Sequence, residues 1–563
     1  MKHFYLLFIA VIYLVMFTTC KGDEKLIDDD DDGDDSPHIE VPVDDDFETN
    51  PGIVNIEDAV VIAYDKQTAT ITNPYEGKGI TITCQDANVV IHSTITDTAY
   101  FVITGLTSAG SLKIYSESHF ELIMNGVSII NENDPALNIQ SHKKVKVRLV
   151  DGTSNRLVGG KQFASEGGVE DVKAAFFSEG QLIFSGEGSL LVISRYRHGI
   201  CSDDYVRINS GAITVQVAAS NGIRGKDAVE INGGKVDIHS MSDGIKSNGN
   251  VLITGGSIQI ATTEDKAHGI KSVTETTIQT TGQIEINVQG DAAKAFKCDG
   301  NMLISSGIIR IITSGDALFD AAEPGLSSAA GIKCDGNLLI NGGQIDIIST
   351  GSGGKGVNVN GTFTMSNGEL SAITTGNEYK YRNDNTKAKA VSIDKSLTIN
   401  GGTIYASCKT DHAIATNSPL SVSGGTVIAF ALDASKKSFN FSNSFKVTGG
   451  VLLGISGASS LPTSSVSTQY AVNYSGSITQ GAFLHVASTA GKNILTCQLP
   501  CSLSKAFVLF SNPDLQNNMN CTISSGGTVS GGTSFHGLYN GATYTGGSTL
   551  SNFTVTSMVT NVN

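Results

Sequence analysis

Tryptophan is absent from the 563 residues, proline occurs ten times, and only 16% of residues are charged. Without tryptophan, a flat aromatic platform for crystalline cellulose is not expected. Nine cysteines spread this thinly, with no CxxC spacing, exclude a disulfide scaffold and a thiolate metal knuckle. Beyond the first residues no long stretch carries helical apolar spacing. What is abundant is glycine, 63 residues of it. That composition suits many short strands joined by tight turns, because glycine weakens helix interiors.

The formal charge of −16 is unevenly placed. Between Lys21 and Glu48 fourteen carboxylates face two lysines, which leaves residues 49–563 at only about −5. A nearly neutral body gives nucleic acid no electrostatic footprint, so none is expected as a partner. Residues 1–19 hold Lys2, an apolar run from Phe4 to Phe17, then Thr18 and Thr19 before Cys20. A basic start, a short apolar stretch and small residues before a cut site describe an export signal. Small residues directly before a cysteine resemble a bacterial lipobox with Cys20 as the acylated residue, although Phe17 stands where leucine is usual. The sequence from Cys20 to Glu24 resembles the surface-export signals of Bacteroidetes lipoproteins. A lipoprotein on the outer membrane, facing outward and touching the membrane only through its lipid, is therefore expected. Residues 20–50, with Asp28–Asp32, Asp34 and Asp35, read as a disordered, self-repelling tether.

Downstream, a frame repeats. Gly199-Ile200, Gly222-Ile223, Gly244-Ile245, Gly269-Ile270, Ala295-Phe296, Gly331-Ile332, Gly356-Val357, Ala390-Val391 and Ala413-Ile414 occupy one column, with a period in the low twenties. Insertions near Asp320–Ser328 and Asn377–Thr386 lengthen two of the repeats. A second column holds Gly211, Gly234, Gly256, Gly282, Gly307, Gly343, Gly368, Gly402 and Gly425, each followed by an alternating apolar strand such as Ile258-x-Ile260. No leucine consensus or helical back wall is visible. Short strands with β-branched residues inside and glycines at corners predict an all-β chain, a right-handed parallel β-helix over 51–429. Residues 430–563 lose the frame and read as irregular coils or a β-rich cap over the open end.

Alternation along each strand then places chemistry. The outward residue after each Ile collects Arg224, Lys246, Lys271, Lys297 and Lys333, preceded by Cys201. The residue before each glycine collects His198, Asn221, Asp243 and His268. Stacking makes the first column a basic ladder, with Arg224, Lys246, Lys271, Lys297, His198 and His268 as candidate ligand contacts. Asp203, Asp204, Asp227 and Asp243 gather as candidate oxygen ligands for calcium, with turn formation and surface ion pairs as the plainer reading. Calcium beside a lysine is also what a uronate lyase requires, and Lys246 and Lys271 are its candidate bases. A lysine repeated rung after rung favours binding over catalysis. Cys298 and Cys334 fall in neighbouring rungs, either as a buried thiol pair or as a disulfide. Tyr379 and Tyr381 offer a small stacking surface, or a loop packed back on the coil.

Several ordered segments carry a family resemblance: LIMNGVS from Leu122, PALNI from Pro135, LVDGTSN from Leu149, SGEGSL from Ser185, HGICSDD from His198 and SDGIKS from Ser242. Together with the rung frame they resemble the bacterial carbohydrate-binding, polysaccharide-lyase-like β-helix proteins. The resemblance implies a lyase scaffold used to bind cellulose-like or pectic polysaccharide with calcium bound. A monomer is expected, and a calcium-dependent uronate lyase and a non-catalytic surface adhesin are the alternative readings.

Overall fold

The computed structural model describes residues 52, 54–164, 166–321 and 324–563. The export signal, Cys20 and the acidic tether lie outside the described residues. Every regular element among the described residues is a β-strand.

The chain winds as a parallel β-solenoid of three strands per rung. The strand after each Gly-Ile corner belongs to a 15-stranded sheet, and the other two strands stack into further parallel strips. The rung of Ile223 shows the unit: Ile223–Gly225, then Ala228–Ile231, then Lys235–Ser240. Two rungs run their second and third strands together, in Glu275–Val288 and Asn301–Thr313.

Register follows the sequence frame. Ile200 pairs with Ile223, and the series continues through Ile245, Ile270, Phe296, Ile332, Val357, Val391 and Ile414. It extends back through Phe176, Leu137, Leu112 and Val89 and forward to Phe439. These side chains are buried in one continuous core. Each contributes roughly 1.5–3 kcal/mol of burial. The solenoid starts from two antiparallel hairpins, Val60–Lys66 with Thr68–Thr72 and Ile80–Gln85 with Ala87–Ser93.

Both glycine columns have physical causes, and they differ. In the second column Gly211, Gly234, Gly256, Gly307, Gly343, Gly368, Gly402 and Gly425 all have positive φ, turning the corner between strands in a conformation that other residues rarely adopt. The Gly-Ile glycines are there for space. A Cβ on Gly222 would lie 2.3 Å from Ile238 Cγ2, one on Gly244 2.4 Å from Ile260 Cγ2, and one on Gly331 2.4 Å from Ile347 Cγ2. Further along, the facing column shrinks through Ala372, Ala406, Ala429 and Gly454. The corner column grows in step to Ala390, Ala413 and Ser438. Ala295 opposite Ile311 is the exception.

The rungs continue beyond 429, through Phe439–Asn440, Phe445–Val447 and Val451–Ser456. There the topology changes. Leu503–Ser511 pairs antiparallel with the last rung's strand and with Ala471–Ile478. A second antiparallel sheet forms from 483–488, 493–498, 520–525, 533–535, 538–540 and 548–554. The two enclose a separate core that includes Leu484, Val486, Val508, Phe510 and Ile523. The last parallel edge is thus covered by antiparallel strands.

Candidate functional site: the outer face of the Gly-Ile sheet

The residue after each inward Ile is in register from rung to rung, as Cys201, Arg224, Lys246, Lys271, Lys297 and Lys333. Strands so paired are ~4.8 Å apart, which makes this a true side-chain column. The column does not present one uniform surface.

At its lower end the segment between Gly159 and Ala174 folds back over the sheet. Glu170 receives hydrogen bonds from Lys113 (2.7 Å) and Tyr115, and Gln140 Nε2 donates to Asp171 O at 2.7 Å. Lys173 reaches Asp203 at 3.0 Å and lies 5.9 Å from the Phe177 ring centre. Beneath this cover Cys201 packs with Ala174 and Phe177, and burial pushes its thiol up to about 12. At the upper end Lys297 is paired with Asp299 and Asp335, and Lys333 lies 2.8 Å from Asp335. Although burial opposes it, pairing with these carboxylates raises the Lys297 pKa, and the two lysines lower that of Asp335.

Between these ends lie Arg224, Lys246 and Lys271. Lys246 is only 4% exposed, whereas Arg224 and Lys271 are half-buried. The Lys271 side chain makes no ion pair or hydrogen bond among the described residues. Its charge is thus uncommitted on the open part of the face.

The residues preceding the corner glycines do a structural job that spacing alone did not reveal. Asn221 donates its backbone N–H to His198 Nδ1 (3.2 Å), Asp243 to Asn221 Oδ1 (3.1 Å), His268 to Asp243 Oδ1 (2.7 Å) and Lys294 to His268 Nδ1 (3.2 Å). Each side chain therefore caps the next rung's amide at a corner where the strand ladder is interrupted. His198 and His268 are buried and occupied in this way. Burial, followed by the charges of Lys294, Lys271, Lys297 and Lys246, holds the His268 pKa well below its ordinary value. A neutral imidazole matches its acceptor role. The same four lysines make the surroundings electropositive.

The proposed calcium ligands are not brought together. Asp203 is held by Lys173, and Asp204 accepts from Gln181 Nε2 at 2.8 Å. Asp227 stacks one rung above Asp204, its N–H donating to the Asp204 carbonyl. Asp243 is 5% exposed, caps the His268 amide, and sits before its strand, whereas the other three follow theirs. Among the described residues no three His, Cys, Asp or Glu side chains converge as a metal site. The donor set therefore does not fit one calcium ion.

Both insertions are hairpins at the corner before the Gly-Ile strands, Leu318–Asp320 with Gly325–Ser327 and Tyr379–Tyr381 with Asp384–Thr386. Phe319 and Tyr381 stack with ring centres 4.5 Å apart, so Tyr381 packs between the insertions. Under them Lys294 donates to Ala292 O (2.6 Å) and Ser327 Oγ (2.8 Å), and burial brings its pKa down to about 7.

A family model described as carbohydrate-binding domain-containing protein matches residues 86–378 and 319–435. A carbohydrate-binding domain-containing protein of Acetivibrio thermocellus is 31% identical over 224 residues, covering 38% of this chain and 76% of the relative. The solved polysaccharide lyase-like protein from C. thermocellum, as its gadolinium derivative, is 26% identical, with a TM-score of 0.38 over 45% of this chain and 96% of that one. With the family match running through most of the solenoid, this chain belongs to the carbohydrate-binding domain-containing proteins.

Proposed function

We propose that the chain binds an acidic, uronate-type polysaccharide on the open part of the Gly-Ile face, with Lys271 as the principal anion contact. The observation that carries this reading is the uncommitted, half-buried Lys271 in register with Arg224 and Lys246. A partly desolvated cation interacts more strongly with a carboxylate than a fully solvated one does. Arg224 adds positive charge to the same column. Lys246, 4% exposed, supports the field from below and is poorly placed as a lyase base.

Affinity electrophoresis tests this. Migration should be retarded in gels containing polygalacturonate and not in gels containing a neutral glucan. Lys271→Ala should weaken retention about tenfold, the loss of one charge-assisted contact. Added salt should weaken the wild type more than the variant. Equal retention in neutral and acidic gels, or none in either, would sink the proposal. Ultraviolet absorbance on pectic acid should stay flat, in keeping with binding without elimination.

We further propose that Cys20 anchors the chain as a lipoprotein on the outer surface of the cell, where polymer would be encountered. Labelling with a fatty-acid analogue should be lost in Cys20→Ser. Labelling that persists in that variant would refute the anchor.

A further inference from the structure

Two consecutive rungs carry the same five residues, Lys-Cys-Asp-Gly-Asn, at 297–301 and 333–337. In the rungs below, the inward position taken by these cysteines holds Ser178, Ser202, Gly225, Ser247 and Ser272. The column thus changes from serine to cysteine in two adjoining rungs. Register sets Cys298 directly opposite Cys334, and both are fully buried. Aligned residues in adjacent strands have Cα atoms ~4.8 Å apart. A disulfide spans roughly 4.4–6.8 Å between Cα atoms. The thiols also converge on one corner, Cys298 Sγ donating to Asn301 O at 3.2 Å and Cys334 Sγ to Gly300 O at 3.3 Å. They are near enough that each perturbs the other's ionisation. Among the described residues no other two cysteines stand in register. Cys201 aligns with Phe177 and Arg224, and Cys408 with Thr374 and Ala431.

We propose that Cys298 and Cys334 close into a cross-rung disulfide when the chain folds under oxidising conditions. The two thiols give up two protons and two electrons as the S–S bond forms. A small-molecule disulfide accepts both and leaves as two thiols. The bond encloses the hairpin insertion at 318–327 and ties together the rungs whose outward lysines, Lys297 and Lys333, share Asp335. Closing so long a loop restricts the unfolded chain.

The test is a tryptic map, without reduction, of full-length protein refolded in a mixture of reduced and oxidised glutathione. The expected product is peptide 298–310 linked to peptide 334–355, with two fewer titratable thiols than protein refolded in dithiothreitol. Its thermal midpoint should be several degrees higher. The double variant Cys298→Ser, Cys334→Ser should fold, since serine is the column's usual residue, and should lack both the linked peptide and the oxidative shift. Recovery of both cysteines as free, alkylatable thiols from folded, oxidatively treated protein would overturn the proposal. Protein folded in an oxidising compartment and alkylated before lysis gives the same reading if refolding in vitro fails.

Discussion

The match between corner glycine and facing side chain can be tested at Gly244. Its hypothetical Cβ falls 2.4 Å from Ile260 Cγ2 and 2.6 Å from the Gly269 carbonyl oxygen. Gly244→Ala therefore overfills the corner by about one ångström of overlap, and overpacking of this kind costs about 1–3 kcal/mol. Ile260→Ala alone removes a fully packed side chain that stacks between Ile238 and Ile286, at about 2–5 kcal/mol. Combined, the two substitutions recreate the Ala-against-Ala pairs of Ala390 with Ala406 and Ala413 with Ala429. The double variant should then be less destabilised than the sum of the singles by about 1–2 kcal/mol, within the range of couplings between contacting residues. Recovery is partial because the Gly269 carbonyl still presses on the new methyl. Solenoids can lose two-state behaviour, so the measurement is hydrogen exchange of peptides from rungs 244–262, with far-ultraviolet circular dichroism in urea as the global readout. Additive costs, with coupling below about 0.5 kcal/mol, would show that the glycine is not there to make room for isoleucine.

His268 refuses a proton that the unfolded chain accepts near its ordinary value, so stability should fall as pH drops below about 6.5. His268→Asn, which borrows the amide-capping chemistry of Asn221, should fold and flatten that slope, and an unchanged slope on acid titration of the urea midpoint would contradict this. Lys294, with its pKa near 7 against an ordinary 10.5, should make the native state more stable as pH rises from 7 towards 10. Lys294→Met should remove that gain, read as the difference in thermal midpoint between pH 7 and pH 9.5.

The solenoid was legible because its physics is local and repeated. A column of Gly-Ile pairs can be read without knowing where the chain goes, and every pair found in the sequence is in register. The binding face was only partly legible. Alternation placed Arg224, Lys246 and Lys271 in one outward column, yet periodicity carries no information about what folds over it. The cover from the segment before Ala174, the carboxylates that occupy Lys297 and Lys333, and the burial of Lys246 all depend on side chains and turns meeting across rungs. The acidic cluster shows the same limit. Asp203, Asp204, Asp227 and Asp243 are near one another in rung count, but position along the strand sets Asp243 apart, and a backbone amide and Lys173 had prior use of two of them. His198 and His268, read as surface contacts, are buried and cap amides instead, because the strand ladder is interrupted at the corner. Sequence by itself determined the repeat, its register and the sign of charge on one face. Only the tertiary structure decided which of those charges remain open to a ligand, because charges are spent through contacts between residues that the repeat brings together but does not name.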